Sequence, residues 1–230
     1  LTEDKQMTDY AIIVAAGSGT RMKAAQPKQF LELNGKPILL HTMEKFYQFD
    51  PLLEIILVLN PEYVQFWNEL TLMLGVTISH RIVAGGSERF YSVKNAINSI
   101  QEDRGIVGIH DAVRPLVSFR TLEVCYNTAR SRSSAVPVIQ VADSIRMVEE
   151  GKSTPLDRSK YRIIQTPQCF ELSMLRNAYR QEFHPSFTDD ASVVEASGED
   201  IHLVEGNREN IKITTVEDLR MAKALIETTT

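Results

Sequence analysis

The sequence predicts an α/β protein: a mostly parallel sheet with helices on both faces. Short apolar runs alternate with segments of helical periodicity along most of the chain, and the first apolar run feeds directly into a glycine-rich turn. Size agrees. At 230 residues, with 43% hydrophobic and 24% charged residues, the chain suits a single domain (1–230) with a sizeable core and is remote from disordered or fibrous classes.

Taken in order, the pattern places a buried strand at 11–14, a helix at 37–48, a strand at 54–59, a helix at 62–74, a short strand at 78–83 and a helix at 88–100. Phe90, Val93, Ala96, Ile97 and Ile100 form the buried stripe of that last helix, which Ser87 is expected to cap after Gly85-Gly86. A strand at 106–109 ends in His110-Asp111-Ala112-Val113-Arg114-Pro115, and a helix at 122–129 and a strand at 135–138 follow. The pattern then changes. Residues 144–148 and 162–166 read as two antiparallel strands around a glycine-containing loop, a hairpin arm within 139–166 that needs a partner surface because so small a unit buries little alone. Thr188 or Asp189 caps a later helix; 210–214 reads as a strand, followed by a Thr214-x-x-Glu217 capping box and a helix with Leu219, Ala222, Leu225 and Ile226 on one face.

Composition narrows the function. A net charge of −5, from 25 basic and 30 acidic residues, disfavours nucleic acid, so an anionic ligand must be met by locally clustered cations. No apolar run approaches the ~18 residues that would span a bilayer, and LTEDKQMTD is unlike a signal peptide; a cytoplasmic protein with no membrane partner is expected. Residues ahead of Met7 read as a remnant and stay outside the fold argument. Cys125 and Cys169 lack metal spacing and read as buried, inert thiols.

The richest stretch is AIIVAAGSGTRMKAAQPKQFL, residues 11–31. The small residues Ala15 to Gly19 permit close backbone approach, and Arg21, Lys23 and Lys28 add positive charge within a dozen residues, a combination suited to a nucleoside triphosphate. It is not a dinucleotide fingerprint, because Met22 stands where the third glycine belongs. It is not a P-loop either, because no Gly-Lys-Ser/Thr triplet occurs there. A plain strand-to-helix turn remains open on glycine spacing alone. Asp111, at a strand's carboxyl end, suits Mg²⁺, which takes few protein ligands beside waters and phosphates; an ordinary turn aspartate is the other reading. His110 reads as structural, since a phosphate nucleophile has no proton to surrender. Arg158 by itself reads as a solvated charge, and Lys212 as a sheet-edge lysine.

AAGSGTRM followed by PKQF resembles the cytidylyltransferases that load a polyol phosphate onto CTP, above all the 2-C-methyl-D-erythritol 4-phosphate cytidylyltransferase family of the non-mevalonate isoprenoid pathway. GGSERFYSV, HDAVRP and NIKIT followed by EDL extend the likeness over nearly the whole chain. The resemblance implies a Rossmann-like fold, CTP and a polyol phosphate as substrates, Mg²⁺ on Asp111, and a homodimer formed through the arm. It assigns Ala15, Ala16, Gly17, Gly19, Gly85, Gly86, Ser92 and Arg114 to the nucleotide. By the same resemblance Arg21 and Lys28 are expected to stabilise transition-state charge, and Arg158 and Lys212 to hold the acceptor phosphate, with Ser144, Thr166 and Thr188 beside it. Ser144 departs from the family's usual threonine; the hydroxyl survives.

Three rivals stay open. A ribitol 5-phosphate cytidylyltransferase shares nucleotide and fold, although Ala16, giving AAG rather than AGG, resembles the methylerythritol branch. A sugar-1-phosphate nucleotidyltransferase using another base is disfavoured by the Gly85 to Val93 segment. A non-catalytic CTP sensor would not need Arg21, Lys28, Asp111, Arg158 and Lys212 together.

Overall fold

The computed structural model describes residues 8–17 and 27–227. Strand β1 (Tyr10–Ala15) leads, by way of a 3-10 turn at Lys28–Phe30, to a small hairpin of β2 (Glu32–Leu33) and β3 (Lys36–Pro37). Next come α1 (Ile38–Phe49), β4 (Glu54–Leu59), α2 (Val64–Met73), β5 (Arg81–Ala84), α3 (Arg89–Ser99), β6 (Ile106–Asp111), α4 (Phe119–Arg132) and β7 (Ser134–Gln140). A hairpin of β8 (Arg146–Glu149) and β9 (Lys152–Pro155) precedes β10 (Arg162–Ile164), β11 (Gln168–Glu171), α5 (Leu172–Ala178), α6 (Asp190–Ala196), β12 (Leu203–Glu205) and α7 (Val216–Glu227).

The expected sheet is present. Among the described residues it has eight strands: β5, β4, β1 and β6 run parallel, β11 lies antiparallel between β6 and β7, and β10 and β12 add to β7. Alternate residues of β1 face opposite layers. Ala11, Ile13 and Ala15 pack with Leu39 and Met43 of α1, Trp67 of α2 and Tyr126 of α4; Tyr10 and Ile12 pack with Phe90 and Val93 of α3, Leu175 of α5 and Val194 of α6. With both faces buried, β1 and β4 read as apolar runs, which is why the sequence revealed them. Cys125 and Cys169 are both free and buried, as expected. A smaller cluster of Leu33, Ile38, Val113, Ile213 and Ala222 seats α7 against the β2–β3 hairpin.

The chain order β5-β4-β1-β6 reverses direction beside β1, so a crevice opens at the carboxyl ends of β1 and β6. The antiparallel side contributes a second device. Ile164 pairs with Val138 and Cys169 with Ala135, so five steps along one chain answer three along the other. The two extra residues bulge around Thr166, beside the end of β6.

Several local expectations need correction. Residues 144–148 do not pair with 162–166: Arg146–Glu149 pairs with Lys152–Pro155 across Glu150-Gly151, both at positive φ, and Arg162–Ile164 pairs with β7 instead. A two-residue turn with positive φ at both positions suits the shorter hairpin. Ser87 is not the cap of α3. Glu88 occupies that position without a side-chain cap bond, and the helix is held by its stripe, since a cap adds about 1 kcal/mol and each large buried side chain about 1.5–3. Residues 210–214 form no strand; Ile213 N–H donates to Val113 O while Ile211 and Ile213 pack into the small cluster. The last capping pair is Thr215 with Asp218, one residue beyond the expected one, because Asp218 Oδ2 accepts from both Thr214 and Thr215 N–H at 2.8 Å.

Candidate active site

A cavity of about 430 Å³ lies in the crevice at the strand carboxyl ends. Its walls bring together Ala15 ending β1, Ala16 and Gly17 after it, Lys28, Gly86 and Ser92, Asp111 ending β6, and Lys212. Gly85 sits behind this wall: Gly85 N–H donates to Leu59 O at 2.7 Å, and a Cβ there would come within 2.4 Å of Ala16 Cβ. Only glycine lets the loops after β1 and β5 meet so closely. Ser92 Oγ accepts from Gly86 N–H at 3.0 Å, fixing the second loop from the first turn of α3. Gly19 and Arg21, with Lys23, lie outside the described residues.

Asp111 is the electrostatic centre. Lys212 Nζ lies 2.9 Å and Arg114 Nε 3.5 Å from Oδ2, and Arg89 Nε lies 3.8 Å from Oδ1. Burial pushes the Asp111 carboxyl up, but Arg89, Lys212 and Arg114 outweigh it and hold it well below the usual carboxylate range. It is therefore ionised. Arg114, assigned to the nucleotide, does not line the cavity; its guanidinium clamps Asp111 and donates to Asn210 O at 2.8 Å, joining the end of β6 to the segment carrying Lys212.

Behind Asp111 a relay fixes its backbone. Asp111 N–H donates to Thr166 Oγ1 at 3.1 Å, Thr166 Oγ1 meets His110 Nδ1 at 3.0 Å, and His110 Nε2 meets Arg114 O at 3.0 Å. A carbonyl can only accept, so Nε2 carries the proton and Nδ1 accepts from the threonine hydroxyl. Burial lowers the His110 pKa to about 4, keeping the ring neutral as this pattern requires. His110 is structural, as expected. Thr166 is buried, and its hydroxyl serves Asp111 and His110 rather than the cavity wall.

Sequence reasoning missed Arg89 and Gln29. Arg89 lines the cavity and donates two hydrogen bonds to the carboxylate of Asp190, at 2.7 and 2.6 Å; Asp190 is fully buried and also accepts from Tyr179 OH. Buried Gln29 donates from Nε2 to Ala15 O at 2.7 Å and to Gly17 O at 3.3 Å. Arg89 follows the cap position and Gln29 follows Lys28, but only their distant partners reveal what they do.

Ser144, Arg158 and Thr188 are not brought to the cavity within this chain. Ser144 and Arg158 are exposed around the arm, where Arg158 donates to Ala142 O, and Thr188 is exposed just ahead of the Asp189 cap of α6.

Among the described residues no cluster of three or more metal-binding side chains gathers. The donor set nevertheless fits magnesium arriving with phosphates: Asp111 is ionised, and among the described residues the ion-pair partner of its Oδ1 is Arg89, at 3.8 Å.

Such a crevice, with a close-approach loop and several cations around one strand-end carboxylate, defines an α/β protein built to hold a polyanionic nucleotide. The family model for 2-C-methyl-D-erythritol 4-phosphate cytidylyltransferase matches residues 10–228. Relatives carrying that name from Bacteroides fragilis and Bacteroides thetaiotaomicron are 50% and 47% identical over 220 residues, covering 96% of this chain and 100% of theirs. The crystal structure of 4-diphosphocytidyl-2C-methyl-D-erythritol synthase from Anaerococcus prevotii superimposes with a TM-score of 0.81 at 26% identity, covering 96% of this chain and 99% of that one. The Francisella tularensis cytidylyltransferase structure gives 0.76 at 32% identity, covering 94% and 99%. The chain belongs to the 2-C-methyl-D-erythritol 4-phosphate cytidylyltransferase family.

Proposed function

We propose that the protein transfers the CMP moiety of CTP to 2-C-methyl-D-erythritol 4-phosphate, giving 4-diphosphocytidyl-2-C-methyl-D-erythritol and pyrophosphate. The observation that carries this reading is the convergence of Lys28, Asp111 and Lys212 on one cavity in a chain matched by the family over its length.

The acceptor phosphate oxygen attacks the α-phosphorus of CTP, the bond to the β-phosphate oxygen breaks, and pyrophosphate leaves. No proton need be removed from the nucleophile, so the protein's work is to align two polyanions and to meet developing charge. Gly85, Gly86 and Ser92 shape the nucleoside end of the cavity. Lys28, with Arg21, meets the charge on the α-phosphate and leaving group. Asp111 with the nucleotide phosphates would hold Mg²⁺, which neutralises and orients the triphosphate. Lys212 has a flexible stem and a half-exposed head, and it exchanges Asp111 for the acceptor phosphate.

The acceptor end is completed by a second copy of the chain in this reading. Supporting it, both strands of the β8–β9 hairpin are exposed, Ser144 and Arg158 lie away from their own cavity, and Met147, Val148, Tyr161, Ile163 and Ile164 expose apolar surface. A homodimer covers that surface and delivers the partner's Arg158 to the acceptor phosphate. Charged metabolites as substrates accord with a cytoplasmic setting, and no described helix is long and apolar enough to cross a membrane.

The test is product identification. Phosphorus NMR of CTP, Mg²⁺ and 2-C-methyl-D-erythritol 4-phosphate with the protein should show pyrophosphate and a new diphosphodiester growing together. Release of inorganic phosphate without the diester would overturn the reading.

A further inference from the structure

Gln29 is the residue whose placement the reaction as described leaves unexplained. Its side chain is buried against the cavity, yet its amide is spent on two backbone carbonyls of the loop after β1: Ala15 O at 2.7 Å and Gly17 O at 3.3 Å. A trans peptide sets its C=O and N–H on opposite sides, so holding Ala15 O toward Gln29 turns Ala16 N–H the other way. The neighbouring residues anchor the turn. Phe30 packs against Tyr63, Phe66 and Trp67 with ring centroids 5.7, 5.1 and 6.2 Å apart, and Phe30 N–H donates to Pro27 O. The turn is therefore fixed to α2 on one side and to the loop on the other, with Lys28 in between.

We propose that Gln29 is a positioning residue that fixes the carbonyls of Ala15 and Gly17 and sets Lys28 at a fixed distance from them. Ala16 and Gly17 carry no side chain that could hold one conformation, and a carbonyl rotated into the cavity would repel phosphate oxygens. One buried amide donor shared between two carbonyls prevents that rotation. Because its own helical turn carries Lys28, the lysine is tied to the Ala15 and Gly17 carbonyls through one side chain.

This inference rests on CTP occupying the cavity, and its test separates the two claims. Gln29→Glu keeps the shape and replaces the donor by an acceptor facing two carbonyls; Gln29→Met keeps the volume and supplies neither. The lock predicts that Glu is the worse substitution although it is the closer shape. Gln29→Met should raise the KM for CTP about tenfold, the scale of one buried hydrogen bond, and Gln29→Glu should raise it further, each leaving the KM for the acceptor unchanged. In the ligand-free protein, backbone amides of the loop after β1 should exchange with deuterium faster in both variants than in the parent chain. If the parent chain does not bind CTP, the nucleotide reading fails, and the exchange comparison still decides the role of Gln29. Unchanged loop exchange and CTP KM in folded variants would overturn the proposal. A greater loss in Met than in Glu, or an equal rise in both KM values, would also overturn it.

Discussion

Lys212 Nζ lies 2.9 Å from Asp111 Oδ2, so a cation from near the end of the chain is paired with the carboxylate that ends β6. The cations around Asp111 differ in freedom. Arg89 is held by the buried carboxylate of Asp190, whereas Lys212 is half-exposed on a long stem. In the proposed reaction Lys212 turns to the acceptor phosphate while Arg89 remains beside Asp111.

Replacing Lys212 by Met should therefore cost about 10² to 10³ in kcat/KM for the acceptor, the scale of one preorganised donor in a transferase site. CTP affinity, read by calorimetry, should change by much less. A variant that loses CTP affinity as steeply as turnover would place Lys212 on the nucleotide instead.

Lys28 stands on a turn pinned by Gln29 and Phe30 and faces the cavity. Lys28→Ala should lower kcat by about 10² to 10³, equivalent to about 3 to 4 kcal/mol of barrier. Circular dichroism and the unfolding midpoint should stay near those of the parent. A folded variant with near-normal turnover would remove Lys28 from the chemistry.

Thr166 offers a sharper contrast. Its hydroxyl accepts from Asp111 N–H and donates to His110. Thr166→Val leaves both groups buried and unpaired and should destabilise the fold by about 1–3 kcal/mol in urea unfolding, while Thr166→Ser should lose little. A hydroxyl acting solely on substrate would leave the stability of the valine variant intact.

For Arg158 the expected effect is selective. Arg158→Ala should raise the KM for the polyol phosphate and leave the calorimetric affinity for CTP nearly intact. Mixing this variant with a Lys28→Ala chain should restore activity at one site of each mixed dimer if Arg158 serves a partner's cavity. No recovery in a mixed dimer would confine Arg158 to its own chain.

Much of this was legible in the sequence because both sides of the sheet are buried. Strands β1 and β4 and the stripe of α3 announce themselves by composition, and topology then places Ala15, Gly86, Asp111 and Lys212 at one crevice. What escaped depends on partners far along the chain. Arg89 acquires its meaning from Asp190, and Gln29 from the carbonyls of Ala15 and Gly17. The alternation in Asn210-Ile211-Lys212-Ile213 imitates a strand, although its isoleucines are buried by a helix and a hairpin rather than by a sheet. The arm misled for a related reason: strand propensity in 162–166 was plain, but the choice between β7 and residues 144–148 was set by the tight Glu150-Gly151 turn.

The most direct test is the initial rate of pyrophosphate release from CTP and Mg²⁺, measured in parallel with 2-C-methyl-D-erythritol 4-phosphate and with ribitol 5-phosphate. Rapid release is expected with the first and little with the second. The reverse preference would contradict the assigned acceptor, and release with neither, from folded protein that binds CTP, would contradict catalysis itself.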